Sequence, residues 1–294
     1  MFQAMGSRCE LQVYAPSASG PPTVLQDVVR EVRRLEAKYT RYESSSVTSR
    51  INAGAGEDGF VDIDDETEQL LDYADALYVQ SEGKFDLTSG ILRRAWDFRA
   101  GRVPSHAQLS SLLPLIGWTR VERRQRAVRL PQAGMEIDFG GFVKEYAADA
   151  AAGVCLDRGF AHGLINLGGD VRVLGPHPDG AAWTIGIQHP RETGETIAQI
   201  NVRQGGLATS GDYERYMMVG DQRYCHLLDP ATGMSLQPSL ASVSVLAESC
   251  LIAGSFSTIS MLNSETSAAW LLDTGLPHLC VDLDMRVTGT LGTQ

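Results

Sequence analysis

Residues 207–233 read LATSGDYERYMMVGDQRYCHLLDPATG, and their pattern governs how the rest of the chain is taken. Thr209-Ser210-Gly211 is a hydroxyl-rich turn with little side-chain bulk. A polar and aromatic run follows, then Gly220-Asp221, then Arg223-Tyr224-Cys225-His226. Gly-Asp between two strand-like runs signals a hairpin, because both residues accept the backbone angles of a tight turn. A hairpin through this stretch would bring the Thr209 and Ser210 hydroxyls to His226, a side chain that exchanges protons near neutral pH. Strand alternation points Cys225 to the face opposite His226, which gives Cys225 a structural role. An ordinary hairpin with one histidine on its face is the plainer reading.

Working outward, antiparallel signals dominate the second half. Residues 163–175, 183–188, 197–202, 241–247 and 279–287 read as strands, and 264–274 as the last helix. The first half holds the longer helices. Val24, Val28, Val32 and Leu35 recur at helical spacing from a Thr23 cap to about Tyr39, after a loop over 16–22. A second helix runs over 64–82 and stops at Gly83. Residues 2–15 form a strand after the tight turn Met5-Gly6-Ser7, and 105–113 a short helix. Residues 121–130 are a strand pair about Gln125 whose arginines mark a solvated edge. The polar run 40–52 is either a surface loop or a ligand-facing edge. Helices early and strands late, without βαβ alternation, give an α+β fold dominated by antiparallel sheet with flanking helices. No repeat, low-complexity tract or linker divides it, so residues 1–294 read as one domain.

Composition narrows the function. A net charge of −11 argues against a nucleic-acid partner, which needs clustered Lys and Arg. The five cysteines are scattered, with no C-x-x-C pair and no zinc-like spacing, so they read as reduced, mostly buried thiols. No run reaches the ~18 apolar residues of a membrane helix. The first residues lack the basic and apolar regions of a signal peptide, so the chain reads as cytoplasmic, or as periplasmic if a leader has been removed.

Two further stretches carry chemistry. Lys84-Phe85-Asp86-Leu87-Thr88-Ser89, with Trp96 and Phe98 behind it, suits a flat ring with polar edges; a helix cap at Asp86 or Thr88 explains it equally well. In 136–149 a strand, the turn Gly140-Gly141 and a helix start could face an anion with backbone N–H groups, and Lys144 adds a point charge for phosphate. This spacing is neither of the common nucleotide fingerprints, and tight packing at the glycines competes with it.

Met5-Gly6-Ser7, Tyr42 with Ser49-Arg50-Ile51-Asn52, Phe85-Asp86-Leu87-Thr88, residues 138–144, Asn166-Leu167-Gly168-Gly169-Asp170, residues 208–214 and residues 226–233 occur in that order. Together they resemble the ApbE family, the FAD:protein FMN transferases once described as thiamine-biosynthesis lipoproteins. The resemblance spans nearly the whole chain. It implies a T-fold-like α+β structure, bound FAD, and transfer of FMN from FAD onto a Thr or Ser hydroxyl of a partner flavoprotein with release of AMP.

By that resemblance Met5, Tyr42, Lys84, Phe85, Asp86, Asp138, Lys144 and Leu228 contact the flavin nucleotide. Read from the residues, Lys144 and the Gly140-Gly141 turn suit a pyrophosphate. Thr209 and Ser210 present hydroxyls to a phosphate oxygen, and His226 accepts the attacking proton, oriented by Asp229 or Asp212. The family's Mg²⁺ site aligns with the Gly141 carbonyl and a late A-D-x-x-[DA]-T segment. Here that segment reads Ala253-Gly254-Ser255-Phe256-Ser257-Thr258, so Gly254 and Ser257 replace the usual acids and Thr258 remains. Mg²⁺ prefers charged oxygen ligands, so the inherited site should be weak. Glu145 stands where the family usually has Gly, either repelling phosphate or replacing the missing charge. The other readings are an FAD-binding carrier or sensor without transfer activity, and a slow FAD pyrophosphatase.

Overall fold

The structure is a computed structural model and describes residues 1–15 and 21–292. Most of the loop expected over 16–22 therefore lies outside the described residues. The first elements are β1 (Phe2–Ala4), β2 (Ser7–Val13), α1 (Pro21–Tyr39), α2 (Val47–Ala53), β3 (Val61–Asp62), α3 (Asp65–Gln80) and α4 (His106–Leu112). Then come β4 (Glu122–Arg124), β5 (Ala127–Arg129), α5 (Val143–Asp157), β6 (Gly163–Leu167), β7 (Asp170–Gly175), β8 (Trp183–Gln188) and β9 (Thr196–Val202). The chain ends through β10 (Gly205–Gly211), β11 (Tyr216–Val219), β12 (Gln222–Cys225), β13 (Leu240–Ala247), α6 (Cys250–Leu262), α7 (Ser267–Thr274), β14 (His278–Asp282) and β15 (Val287–Gly289).

The residues gather into two compact units. The first comprises Met1–Glu36, Phe142–Tyr213 and Ser239–Gln294; the second comprises Ala37–Gly141 and Glu214–Pro238. The first unit is built on an eight-stranded antiparallel sheet in the order β1-β2-β6-β7-β10-β13-β14-β15. On one face, Leu207, Val171, Val173, Leu279 and Val281 pack with Trp183, Ile187, Ile200 and Val202 of the β8–β9 hairpin. Against β10 and β13 lies α6, and the small side chains of Ala208, Ala247 and Ala253 let helix and sheet approach closely. Alternation along β10 divides the two layers, since Leu207 faces the hairpin and Ala208 faces the helix.

The second unit holds α2 to α4, the small sheet β3-β5-β4 and the β11–β12 hairpin. Its core includes Leu92, Trp96, Leu109 and Met217, with Tyr224 and Leu228 packed against them. The arginine-bearing strand β4 is an edge of its sheet, as its charges suggest, and Arg123 pairs with Asp72 and Asp75. All five cysteines are free and buried.

The structure revises the reading of residues 207–233. The hairpin is real, but it spans only β11 and β12 about Gly220-Asp221. Thr209 and Ser210 do not sit in a turn. They lie in β10, opposite Ser244 and Val243 of β13, so the hairpin does not carry their hydroxyls to His226. The physical reason is burial: β10 is apolar up to Ala208 and is taken up as an interior strand before the polar run begins. The run 40–52 also differs from expectation, because Ser46 caps a helix and accepts from the Ser49 N–H at 2.9 Å.

Candidate functional site

Within the first unit, the expected residues form two adjoining clusters. Lys144, in the first turn of α5, binds the buried Asp170 carboxylate and lies 3.5 Å from the Leu167 carbonyl. Asp170 follows the Gly168-Gly169 turn between β6 and β7, where Asn166 Oδ1 accepts the Gly169 N–H at 2.8 Å. Gly168 has φ +64°, and a Cβ there would lie 2.6 Å from Ser7 Oγ and 3.8 Å from Lys144 Cδ. Glycine is thus required both for the backbone and for close packing of three segments. Ser7 follows Met5, whose N–H donates to Glu36 at 2.6 Å.

The second cluster is made of hydroxyls. Ser210 Oγ is 2.8 Å from Ser257 Oγ and 2.9 Å from Thr258 Oγ1, and Ser257 Oγ donates to the Gly254 carbonyl at 3.0 Å. Thr209 turns to Ser244, 2.7 Å away. Ser210 and Thr258 are therefore brought together, while Thr209 points elsewhere, as adjacent strand residues must. Glu145 is 8% exposed, and its Oε1 lies 3.7 Å from Lys144 Nζ.

Within the second unit, Asp138 is held by side-chain and backbone donors together. It accepts from Arg41, from Arg93 at 3.0 Å and from the Gly140 N–H at 3.0 Å. Arg41 also lies over the Tyr42 ring at 4.8 Å and donates to its hydroxyl, while Tyr42 remains 80% exposed. Burial, foremost, pulls Arg93 below the usual guanidinium range, and Asp138 opposes it. Sequence reasoning missed Arg41 and Arg93. The available signal was Asp138 itself, because a carboxylate in an otherwise apolar stretch needs cationic partners.

Asp86 takes the cap reading. It is buried and accepts from the Thr88 N–H at 2.7 Å, the Thr88 hydroxyl at 2.6 Å and the Trp118 N–H at 3.1 Å. Thr88 Oγ1 in turn accepts from Gly117 N–H. Phe85 is buried with its ring against Gly141, where a Cβ would come within 2.9 Å, and Lys84 beside it is half-buried. Leu228 packs on the Trp96 cluster.

His226 follows β12, and its N–H donates to the Arg215 carbonyl at 2.9 Å. Its Nδ1 is buried and, among the described residues, without a hydrogen-bond partner. Burial, reinforced by Arg215, lowers its pKa to about 4 from the ordinary 6.5, so the imidazole is neutral at physiological pH. The expected orienting acids are used elsewhere: Arg191 grips Asp212 with bonds of 2.6 and 2.8 Å, and Asp229 accepts from Ala231 and Thr232 of its own turn. Among the described residues, no group of three or more His, Cys, Asp and Glu is placed to hold a metal ion. None of their helices is long and apolar enough to cross a membrane.

Comparison with known proteins adds the chemical context. A profile of the ApbE family matches residues 5–280. The chain belongs to the ApbE family. It is 31% identical to the FAD:protein FMN transferase of Klebsiella pneumoniae, over 84% of this chain and 76% of that protein. It is 28% identical to the protein of that name from Treponema pallidum, over 98% of this chain and 85% of that one. Among solved structures, the ApbE protein of Thermotoga maritima aligns with TM-score 0.89 at 29% identity, covering 98% and 95% of the two chains. The apo flavinyl transferase ApbE of Pseudomonas stutzeri aligns with TM-score 0.84 at 28% identity, covering 98% and 93%. These likenesses give the mixed helix and antiparallel-sheet architecture of this ApbE chain an experimental counterpart.

Proposed function

We propose that this protein is an FAD:protein FMN transferase that moves FMN from FAD onto a Thr or Ser hydroxyl of a flavoprotein partner. The observation that carries this reading is the family match over residues 5–280, together with relatives of that name aligned along most of their length.

The acceptor oxygen attacks the FMN-side phosphorus of the pyrophosphate. The new P–O bond forms as the bond to the AMP phosphate breaks, and AMP leaves. Neutral His226, whose Nδ1 has no hydrogen-bond partner among the described residues, is the group assigned to take up the hydroxyl proton. Lys144 and the exposed Gly140-Gly141 turn are assigned to phosphate charge, and Tyr42 with Arg41 to the nucleotide's flat face. Ser210 and Thr258 remain as uncharged oxygen donors for a divalent ion, which when bound would neutralise charge on the phosphates.

The test mixes the protein with FAD, Mg²⁺ and a Thr-bearing flavoprotein acceptor and weighs the acceptor by mass spectrometry. Gain of one FMN mass is expected. No gain with any divalent ion would refute the transferase reading. FAD binding without turnover would then favour a carrier or sensor, the reading suggested by Gly254 and Ser257, whereas FMN and AMP released without an acceptor would favour a pyrophosphatase.

A further inference from the structure

Glu145 is buried to 8% exposure, and its Oε2 has no hydrogen-bond partner among the described residues. An unpaired carboxylate oxygen in the interior is unfavourable unless something charged completes it. Lys144 does so only in part. Its Nζ is 3.7 Å from Oε1, beyond hydrogen-bond distance, and bonds Asp170.

The Glu145 side chain occupies a specific place. A Cβ built on Gly254 would meet Glu145 Cγ at 2.5 Å, Cδ at 3.1 Å and Oε1 at 3.2 Å. The carboxylate therefore fills the volume that a side chain at position 254 would take, and Gly254 exists in a form that admits it. Gly254 and Thr258 are four residues apart on α6, so they share one face, and Ser257 joins Gly254 to the hydroxyl cluster around Ser210. The carboxylate from α5 thus meets α6 at Gly254, the residue whose carbonyl accepts from Ser257 of the hydroxyl cluster.

We propose that Glu145 is the charged ligand of a divalent-cation site on this chain, completed by the Thr258 and Ser210 hydroxyls. The carboxylate comes from α5 rather than from α6. One carboxylate plus hydroxyls and water suits a hard ion such as Mg²⁺ or Mn²⁺, and is too small a set to form a multi-acid cluster. The proposal rests on the transferase reading only for what the ion does, not for whether it binds.

The experiment titrates the full chain with Mn²⁺ alone and follows free Mn²⁺ by its paramagnetic resonance, alongside thermal melts with and without Mg²⁺. Wild type should bind one ion and melt higher with Mg²⁺. Glu145→Gln, which keeps the shape and removes the charge, should bind at least about tenfold more weakly. It should lose the Mg²⁺-dependent rise and melt no lower than wild type without metal. The exchange variant Glu145→Gly with Gly254→Asp should recover binding. Unchanged Mn²⁺ binding in Glu145→Gln, no binding by wild type, or a metal-free melt lowered by Glu145→Gln would overturn the assignment, the last by showing a purely structural ion pair. FMN transfer with metal binding indifferent to Glu145 would refute this inference alone. Glu145-dependent binding without transfer would refute only the transferase reading.

Discussion

His226 shows how one side chain couples burial to proton balance. Unfolded, it takes up a proton near 6.5; folded, only near 4. Between those values the unfolded state holds more protons, so the histidine makes stability rise with pH, and above 6.5 it contributes nothing to the slope. His226→Asn should therefore flatten the stability curve between pH 4 and 6.5. Relative to wild type it should gain about 2 kcal/mol at pH 4.5 over its value at pH 7.5, read from urea melts. In the transfer assay the acid limb set by this group should fall near pH 4, leaving the wild-type rate flat from about pH 5 to neutrality. A limb near 6.5 would show an exposed imidazole.

At the scale of elements, the β6–β7 turn offers a clean comparison. Gly168 and Gly6 have nearly equal angles, φ +64° and φ +67°, but a Cβ on Gly168 strikes Ser7 while one on Gly6 meets no described residue within 4 Å. Gly6→Ala should cost about 1 kcal/mol for the backbone alone, and Gly168→Ala about 2–4 kcal/mol, measured as urea midpoints at equal slope. Elements of this kind were partly legible in the sequence. Val24, Val28, Val32 and Leu35 announced α1 because all four are buried on one face, and Gly220-Asp221 announced a hairpin. The membership of β10 was not legible, since nothing in Thr209-Ser210 says that its neighbour is β13, some thirty residues later. The site was read with similar unevenness. Lys144, Asp138 and His226 stood out as chemical types, whereas their partners Asp170, Arg41 and Arg93 are set by long-range packing that no local pattern encodes. Glu145 was visible as an oddity. Only the missing Cβ of Gly254 gives its carboxylate a place.

For the whole molecule, the fate of the five thiols has a practical side. Cys155 and Cys280 are pushed up to about 11 by burial, and burial likewise raises Cys9 and, well above the usual range, Cys250. A thiol reacts as thiolate, and it must also be reached. Native protein should therefore give well under one equivalent of fast colour with a disulfide-exchange reagent, and five only after denaturation. The interior is, in effect, chemically silent. A single cysteine introduced at the exposed hairpin tip, Asp221→Cys, would be the one address a maleimide dye can find. Fluorescent reporting on acceptor docking would then need none of the native cysteines to be removed.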